Sequence, residues 1–517
     1  MAVEQGPPTG SVAIRRGAGT TKSEQYLARL ADRTFLNLWS YPNVYNDKRA
    51  YPGGDGKELC DLLVVCGDHV LIFSDKSVAW PSEEDVTLAW SRWYRHAIAR
   101  SAKQIRGAQR WLQRFPGRVF LDPKCTRRLP IALPPLDRRK VHGIVVALGA
   151  GAACRQYFKG GSGSLAIRPE IKGDAHLDAD PFHIGDVDPS GSFIHVLDDA
   201  TLDIMLGELD TITDLTDYLQ KKVKLVRDPR FAGAAGEEDL LANYMSHMNA
   251  ADEHDFGWPQ GSSNGPFVMA QGQYWQMLSD RHYRAMKEAN KISYVWDRLI
   301  ELFTKPLLEG TTLVLDGGRL ELSDHELGVR HMALVPRHLR RVYGESVAGV
   351  LEAGAKHHRM ARAIFPGAKE KDRSTGFFVL TLKVPEFHLE HGYEGYRHAR
   401  RNLLEIYAWA FLRRHPELAR IVGIACEPAG SQGGSEDLVY AEQPEWTEDF
   451  VRNIEKAQFE LRIMQEGVYK EYSIEGHEYP DVPRTKRERP APQAGMPRMN
   501  RRQRRALRFR RRGRAGS

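Results

Sequence analysis

The sequence predicts an α/β protein with two domains and a basic tail at its C-terminal end. Its 517 residues are about three times the length of a typical domain. With 42% hydrophobic and 27% charged residues, the chain has the composition of a globular protein with a sizeable core. Short apolar runs of strand length alternate with longer segments whose apolar residues recur at helical spacing. Together these observations favour helices packed against sheets.

The first domain is expected to cover residues 22–225 and to follow a flexible leader formed by residues 1–21. Residues 23–38 place their apolar side chains at helical spacing, which predicts the first helix of this domain. Ser23 is the expected N-cap, because its hydroxyl oxygen can accept a free backbone N–H of the first turn.

Two apolar runs come next, and they predict a β-hairpin. The runs are residues 59–66 and 69–76, and Gly67-Asp68 between them is a typical two-residue hairpin turn. A long helix should then open at Ser82, since three acidic residues follow it and suit the positive end of the helix dipole.

Two further strands and a helix complete the predicted first domain near residue 225. The strands are expected at residues 141–148 and 193–198, where apolar and β-branched residues are dense. The helix is expected over residues 208–220, which carry acidic side chains at helical spacing.

The second domain is expected to cover residues 226–480, again with an α/β pattern. Helical spacing of apolar residues predicts helices at about 236–250 and across 272–305. Two apolar strands, residues 376–384 and 421–427, enclose a long helical segment. A strand, a helix and a strand in that order predict a β-α-β unit with parallel strands.

A strongly basic tail, residues 481–517, ends the chain. From residue 484 onwards it holds 14 Lys or Arg and one acid, whereas the preceding 483 residues hold 60 bases and 66 acids. The tail has too few apolar residues for a core, so we expect it to be disordered when free. The alternatives are a solubility tail and a segment that binds nucleic-acid phosphates without reading sequence. In the second case the contacts would come from its arginines, among them Arg501, Arg502, Arg504, Arg505, Arg508 and Arg510.

Several classes of protein are disfavoured by the sequence. Its five cysteines are scattered and form no CxxC pair, which argues against a zinc ribbon or a disulfide scaffold and suits a reducing compartment. No stretch approaches the roughly 18 consecutive apolar residues of a membrane helix. The N-terminal residues also lack the apolar core of a signal peptide. We therefore expect a cytoplasmic protein with no membrane partner.

The predicted hairpin carries the residues that best suggest chemistry. Counting back from its turn places Asp61 opposite Ser74, and because side chains alternate along a strand, Asp61, Ser74 and Lys76 share one face. Asp75 points to the other face. A carboxylate among apolar residues is costly unless it is paired or bound to metal. Asp61 is therefore either an ion-pair partner of Lys76 or part of a metal site that orients water for phosphodiester attack.

The order of these features resembles the PD-(D/E)xK nuclease superfamily, in particular its nuclease-related-domain and RecB-like branches. The shared pattern is a helix, a strand with an aspartate, a strand that ends in acid-x-Lys, and a helix with a glutamine, over about residues 20–150. The resemblance implies a restriction-endonuclease-like mixed sheet flanked by helices. It also implies residue roles: Glu24 or Glu58 as the preliminary acid, Asp61 as the metal-binding aspartate, Lys76 as the lysine that positions or activates water, and Gln104 as a supporting glutamine.

One position departs from the family pattern. The second acid of the family lies two residues before the lysine, where this chain has Ser74. A β-bulge at residues 74–75 would turn Asp75 into the site as a second metal ligand beside Asp61. Otherwise Glu24 or Glu58 supplies the missing carboxylate, or the enzyme is inactive. Glu58 has the parity of the wrong strand face unless the strand twists, whereas Glu24 lies on the inward side of its predicted helix.

The resemblance implies a nuclease that uses Mg²⁺ or Mn²⁺ and cuts DNA or RNA, and by analogy one that acts in restriction or anti-phage defence. Nucleic acid is the expected partner, besides a second copy of the chain or a defence-system protein. The basic outer face of the long helix over residues 90–111 suits that partner. One alternative is a catalytically inactive nuclease-fold protein that binds nucleic acid or ribonucleoprotein through its tail. A third hypothesis places the activity in residues 226–480.

Overall fold

Helices and strands alternate along the computed structural model. It describes residues 13–49, 54–258, 266–309, 322–366, 374–383, 388–431, 434–465, 467, 469–471, 477–480 and 482. These residues form three mixed sheets, of five, four and four strands, with helices packed around them. The α/β class predicted from the sequence is therefore confirmed. None of the described helices combines the length and the apolar character needed to cross a lipid bilayer.

Up to residue 198, the described residues contain four α-helices and seven strands. In order they are α1 (Lys22–Phe35), β1 (Ser40–Asn46), β2 (Lys57–Cys66), β3 (His69–Ser77), α2 (Val86–Tyr94), α3 (Arg100–Arg114), β4 (Lys140–Leu148), α4 (Gly151–Tyr157), β5 (Ala166–Lys172), β6 (His183–Asp186) and β7 (Ile194–Asp198). The predicted hairpin and the two later strands are all present. Their apolar runs are buried, as expected for strands covered by helices.

The five-stranded sheet has the strand order β1-β2-β3-β4-β7. β1, β2 and β3 pair antiparallel, whereas β3 with β4 and β4 with β7 pair parallel. A parallel pair needs a long crossover, and α2 and α3 provide it between β3 and β4. Helix α1 packs on β1 to β3, and α3 packs on β2 to β4.

The hairpin of β2 and β3 has the register predicted from its turn, but its ladder is short. Pairing runs from Cys66 and His69 to Leu62 and Phe73 and ends there. β3 nevertheless continues to pair with β4 as far as Ser77, with no shift of register. The two strands of the hairpin therefore separate just where Asp61 and Ser74 lie, and the β3–β4 pairing contains no bulge at 74–75.

The first helix and the crossover begin at other residues than predicted. Thr21, not Ser23, is the N-cap of α1, and Glu24 completes a capping box with it. The crossover begins at α2, whose N-cap is Asp85 rather than Ser82. In both cases the residue directly before the first helical residue accepts the free N–H groups of the first turn.

The acid-rich helix predicted over residues 208–220 is present, but it begins four residues later, at Ile212, and a separate helix precedes it. α5 (Thr201–Glu208) ends before Thr211, which caps α6 (Ile212–Val226) by accepting the backbone N–H of Asp214 at 3.1 Å. A four-stranded sheet then joins β6, β5, β8 (Phe231–Ala234) and β9 (Phe267–Met269), with α7 (Glu237–Met245) before β9. The strands of this sheet lie on both sides of the boundary predicted after residue 225.

The remaining helices and strands form the last part of the chain. In order they are α8 (Gln273–Ser279), α9 (Arg281–Ala289), α10 (Tyr294–Glu309), α11 (Leu322–Ala333), α12 (Arg337–Gly354), β10 (Arg359–Ile364), β11 (Thr375–Leu382), α13 (His388–Arg414), β12 (Arg420–Cys426), β13 (Glu436–Glu442) and α14 (Glu448–Glu460). The predicted helical stretch 272–305 is thus divided among α8, α9 and α10. The predicted β-α-β unit is present as β11, α13 and β12, whose strands pair parallel.

Both ends of the chain fall partly outside the described residues. In the predicted leader, the N–H of Ile14 donates to the carbonyl of Leu308 at 2.8 Å, and Arg16 pairs with Asp32 at 2.8 Å. These residues therefore contact the folded part of the chain. The predicted nucleic-acid contacts in the tail lie outside the described residues: Arg501, Arg502, Arg504, Arg505, Arg508 and Arg510.

Candidate active site

The candidate site lies where β2 and β3 separate, and Asp61 is at its centre. The residue is 2% exposed. Its Oδ2 accepts the backbone N–H of Asp75 at 2.6 Å, the hydroxyl of Ser74 at 3.3 Å and the ammonium of Lys76 at 3.3 Å. Because the ladder has ended at this point, the carboxylate satisfies a strand N–H that would otherwise be buried without a partner.

Lys76 joins the buried carboxylate to solvent. Its Nζ donates to Asp61 Oδ2 and also to the carbonyl oxygen of Asp75, the latter at 3.0 Å. The side chain remains 37% exposed, whereas that of Asp61 is 1% exposed. The ammonium therefore lies between two oxygen acceptors at the mouth of the site, where a bound phosphate or water can reach it.

Ser74 connects the hairpin to the crossover helix. The residue is fully buried, and its one hydroxyl hydrogen is shared between Asp61 Oδ2 and, at 3.0 Å, Oε1 of Gln104 on α3. Gln104 reaches the strands because α3 packs on β2 to β4. The structure therefore brings Asp61, Lys76 and Gln104 together, with Ser74 as the residue that contacts both Asp61 and Gln104.

Asp75 lies on the opposite face of β3, under α1. It is 3% exposed, and neither oxygen of its carboxylate has a hydrogen-bond partner among the described residues. Burial raises the pKa of Asp75 to about 6; the nearby Ser23 hydroxyl acts in the opposite direction, and the charges of Asp61 and Glu24 add to the increase. The bulge that would turn this side chain towards Asp61 is absent from the β3–β4 pairing.

Glu24 and Glu58 meet on the α1 side through a residue that the sequence did not single out. Asn43 donates its amide to Glu24 Oε2 and to Glu58 Oε1, both at 2.9 Å. Its φ of 49° is a conformation that asparagine tolerates better than most residues. The signal in the sequence is an asparagine in the middle of a short strand, where this residue type is uncommon.

The two glutamates respond differently to their surroundings. Burial acts to raise the pKa of Glu24, but hydrogen bonds from Asn43 and from the N–H groups of Thr20 and Thr21 outweigh it, so the pKa is lowered. For Glu58, burial dominates and raises the pKa, the Asn43 bond opposes it, and the charge of Asp61 adds to the increase. The carboxylates of Glu24, Glu58 and Asp61 therefore interact electrostatically.

The site offers a divalent cation few carboxylate ligands. Among the described residues, no three His, Cys, Asp or Glu side chains converge closely enough to form a metal-binding group. Asp61 Oδ1 is nevertheless buried without a hydrogen-bond partner in that part of the chain. A carboxylate oxygen and a backbone carbonyl are ligands of the type that Mg²⁺ accepts, and the Lys76 ammonium contacts both the Asp61 carboxylate and the Asp75 carbonyl.

Comparisons of the chain with protein-family models, with curated proteins and with solved structures found no match. The interpretation of the site therefore depends on its own geometry. That geometry is a buried, partly unsatisfied aspartate, a solvent-accessible lysine beside it and a glutamine held through a serine.

Replacing Asp75 with asparagine is expected to stabilise the protein at pH 8 and to have much less effect near pH 4. The folded-state pKa of about 6 lies above the ordinary value of 3.8, so the protein loses stability as the pH rises from 3.8 to about 6, and the full cost of burying the charge is present above that pH. We expect an increase of about 3 kcal/mol in the free energy of unfolding at pH 8, because folding raises the pKa from 3.8 to about 6. Urea denaturation in EDTA at both pH values measures it, with exposed Asp178→Asn as the control. An equal effect at both pH values would contradict the assignment.

Proposed function

We propose that the protein is a metal-dependent nuclease of the PD-(D/E)xK type. The observation that carries the proposal is the convergence of Asp61, Lys76 and Gln104 where the hairpin opens. These residues come from two neighbouring strands and the following crossover helix, in the order that the family pattern requires. A restriction-endonuclease-like arrangement of α1, the sheet and α3 is part of the same proposal.

The proposed cation is Mg²⁺ or Mn²⁺. Asp61 would hold it through its unpartnered Oδ1, and Asp75 would contribute through its backbone carbonyl, because its carboxylate lies on the other face of β3. A cation bound there supplies an activated water and neutralises charge on the phosphate that is attacked. Glu24 and Glu58 add negative potential from the α1 side, which favours a cation near Asp61.

The residues of the chain have separate parts in this proposal. Lys76 donates from Nζ to a phosphate oxygen or to the attacking water, because its ammonium is the exposed donor of the site. Gln104 accepts the Ser74 hydroxyl and thereby fixes the neighbour of Asp61. The Asp75 N–H holds the carboxylate of Asp61 in one orientation. The arginines of the tail raise the local concentration of nucleic acid.

Other parts of the proposal depend on analogy or on composition. A place in restriction or anti-phage defence, with a second copy of the chain or a defence-system protein as partner, depends on the resemblance alone. A cytoplasmic location agrees with five cysteines that are all free thiols. DNA and RNA are both substrates that this site could accept.

A second candidate function is nucleic-acid binding without catalysis. It is favoured by Ser74, which occupies the position where the family has an acid, and by the pairing of Lys76 with Asp61. In this alternative the ammonium neutralises Asp61 permanently and the fold, with the tail, serves as a binding module. The two functions differ in their metal dependence: a nuclease needs Mg²⁺ or Mn²⁺ for cleavage, whereas the binding module does not respond to either ion.

Replacing Lys76 with alanine is expected to reduce metal-dependent cleavage by about a hundredfold or more, because a positioned donor of this kind contributes on that scale. Supercoiled plasmid, linear duplex, single-stranded DNA and structured RNA are each incubated with EDTA, Mg²⁺ or Mn²⁺. Exposed Lys57→Ala, on the same hairpin, is the matched control. Cleavage that survives in Lys76→Ala would overturn the proposed site, and no cleavage by the wild type would favour the binding module.

A further inference from the structure

The crossover between β3 and β4 carries a run of positive charge that the site itself does not use. Between Asp85 and Asp122 the chain has no acidic residue, although the first 483 residues as a whole hold more acids than bases. Seven basic residues of α2, α3 and the turn between them are exposed, and we call them the basic stripe: Arg92, Arg95, Arg100, Lys103, Arg106, Arg110 and Arg114.

Most of the basic stripe is electrostatically unsatisfied. Arg92 pairs with Glu83 and Arg106 with Asp188. The other five residues of the stripe make no ion pair with any residue in the described part of the chain. Exposed cations that lack counter-ions, in a chain body with a net negative charge, indicate a surface for a polyanion.

A π-helical turn keeps the stripe continuous. Residues Arg95–Ala99 form it, and the N–H of Arg100 donates to the carbonyl of Arg95, five residues earlier. In a regular α-helix two residues five apart point in different directions, whereas a π turn brings them to one side. The stripe therefore extends along one side for about 33 Å, at about 1.5 Å per residue from Arg92 to Arg114.

The stripe adjoins the candidate active site. Arg100 precedes Gln104 by four residues on α3, so their side chains are neighbours on the helix surface. Gln104 in turn accepts the hydroxyl of Ser74, which contacts Asp61. Arg100, within the stripe, is therefore linked to Asp61 through Gln104 and Ser74.

The side chains around the stripe distinguish between polyanions. Binding of single strands relies on exposed aromatic rings on which bases stack. The aromatic residues Trp90, Trp93 and Tyr94 of this segment are buried, and the ring of half-buried Trp111 is covered by the guanidinium of Arg118 at 5.5 Å. Binding to an anionic membrane would require exposed apolar side chains between the basic residues. The exposed large apolar residue of this segment is Leu88, which precedes the stripe and does not lie within it.

We propose that the basic stripe binds the phosphate backbone of double-stranded nucleic acid and leads it to the candidate active site. The inference rests on the proposed function for the role of that site, but the binding itself needs no cleavage. In this proposal the substrate is double-stranded, and it binds to the exposed side of the crossover helices α2 and α3. Sequence preference is not expected, because phosphate contacts position a duplex without reading its bases.

The test compares two double variants of the full chain. Arg100→Gln with Lys103→Gln removes two charges from the stripe, and Arg452→Gln with Lys456→Gln removes two from α14, where the side chains are 72% and 73% exposed. Fluorescence anisotropy in EDTA measures the affinity for a 25-base-pair duplex and for a single strand of equal length over a series of salt concentrations. Vesicles of phosphatidylserine and phosphatidylcholine serve as a third ligand.

For the stripe variant we expect weaker duplex binding and a decrease of about 2 in the slope of log affinity against log salt. The α14 variant and the single-strand slope should not change. An unchanged duplex slope, an equal loss for the single strand, or vesicle binding that is lost with the stripe would each overturn the proposal. If the slope decreases but no wild-type cleavage is found, the stripe stands and the nuclease proposal fails.

Discussion

Replacing Asp61 with asparagine is expected to abolish metal-dependent cleavage, with a loss of at least about a thousandfold. The substitution conserves shape but removes the charge that a cation at Oδ1 requires, and Oδ1 is a buried oxygen without another described partner. It also removes the carboxylate that holds the Lys76 ammonium at 3.3 Å. Loss of the cation site and of the lysine's position should therefore occur together.

The same variant separates metal binding from catalysis. Wild-type protein should show an increase in thermal unfolding temperature on addition of Mg²⁺ or Mn²⁺, since a ligand that binds the folded state stabilises it. Asp61→Asn should show none. Asp68→Asn, in the exposed turn of the same hairpin, is the control, because its side chain is 41% exposed. A metal-induced increase that persists in Asp61→Asn would place the cation elsewhere in the protein.

If metal raises the thermal unfolding temperature of neither the wild type nor Asp61→Asn, the result favours the binding-module alternative. In that case Asp61→Asn should still change stability, because the ammonium of Lys76 and the N–H of Asp75 would lose an ionised acceptor. The metal experiment thus distinguishes two cases. In one, the site binds a cation although Ser74 stands where the family has an acid; in the other, the site binds no cation.

The geometry on one face of the hairpin could be predicted because it follows from local rules. A two-residue turn fixes the register, and alternation along the strand then fixes which side chains share a face, so Asp61, Ser74 and Lys76 were expected together. Separation of the strands beyond Leu62 could not be predicted. It depends on pairing with β1 and β4, which are distant in sequence.

Other parts of the site depend on long-range contacts that leave little trace in the sequence. Asn43 joins Glu24 and Glu58 only because α1 packs across β1 and β2. The parity of Glu58 predicted the face opposite Asp61, but did not show that Glu58 would meet Glu24 through Asn43. Helix starts at Thr21 and Asp85 were missed because several capping residues stand side by side in both segments.

A buried ion network connects the two regions that the sequence divides at residue 225. Asp297 on α10 accepts from Arg340 at 2.6 Å and from Arg337 at 2.8 Å. Arg337 in turn donates at 2.8 Å to Asp210, which lies between α5 and α6. Arg340 is 1% exposed, so its charge has little access to water. The network therefore places charges from both sides of the predicted boundary in one buried cluster.

Replacing Asp297 with alanine is expected to lower the free energy of unfolding by about 3–5 kcal/mol, because it leaves a buried arginine without its counter-ion. Glu301→Ala, one turn further along α10 and exposed, should cost much less. Urea denaturation followed by tryptophan fluorescence measures both variants. A change below about 1 kcal/mol in Asp297→Ala would show that water or other groups replace the lost carboxylate.

The shape of that transition also tests the division of the chain. If residues 22–225 and 226–480 fold independently, losing Asp297 should destabilise only the region that holds Arg337 and Arg340, and two transitions should become visible. If the network and the sheet formed by β6, β5, β8 and β9 make one cooperative unit, a single transition should shift as a whole. We expect the single transition, because that sheet pairs strands from both sides of residue 225 and its hydrogen bonds cannot break on one side alone.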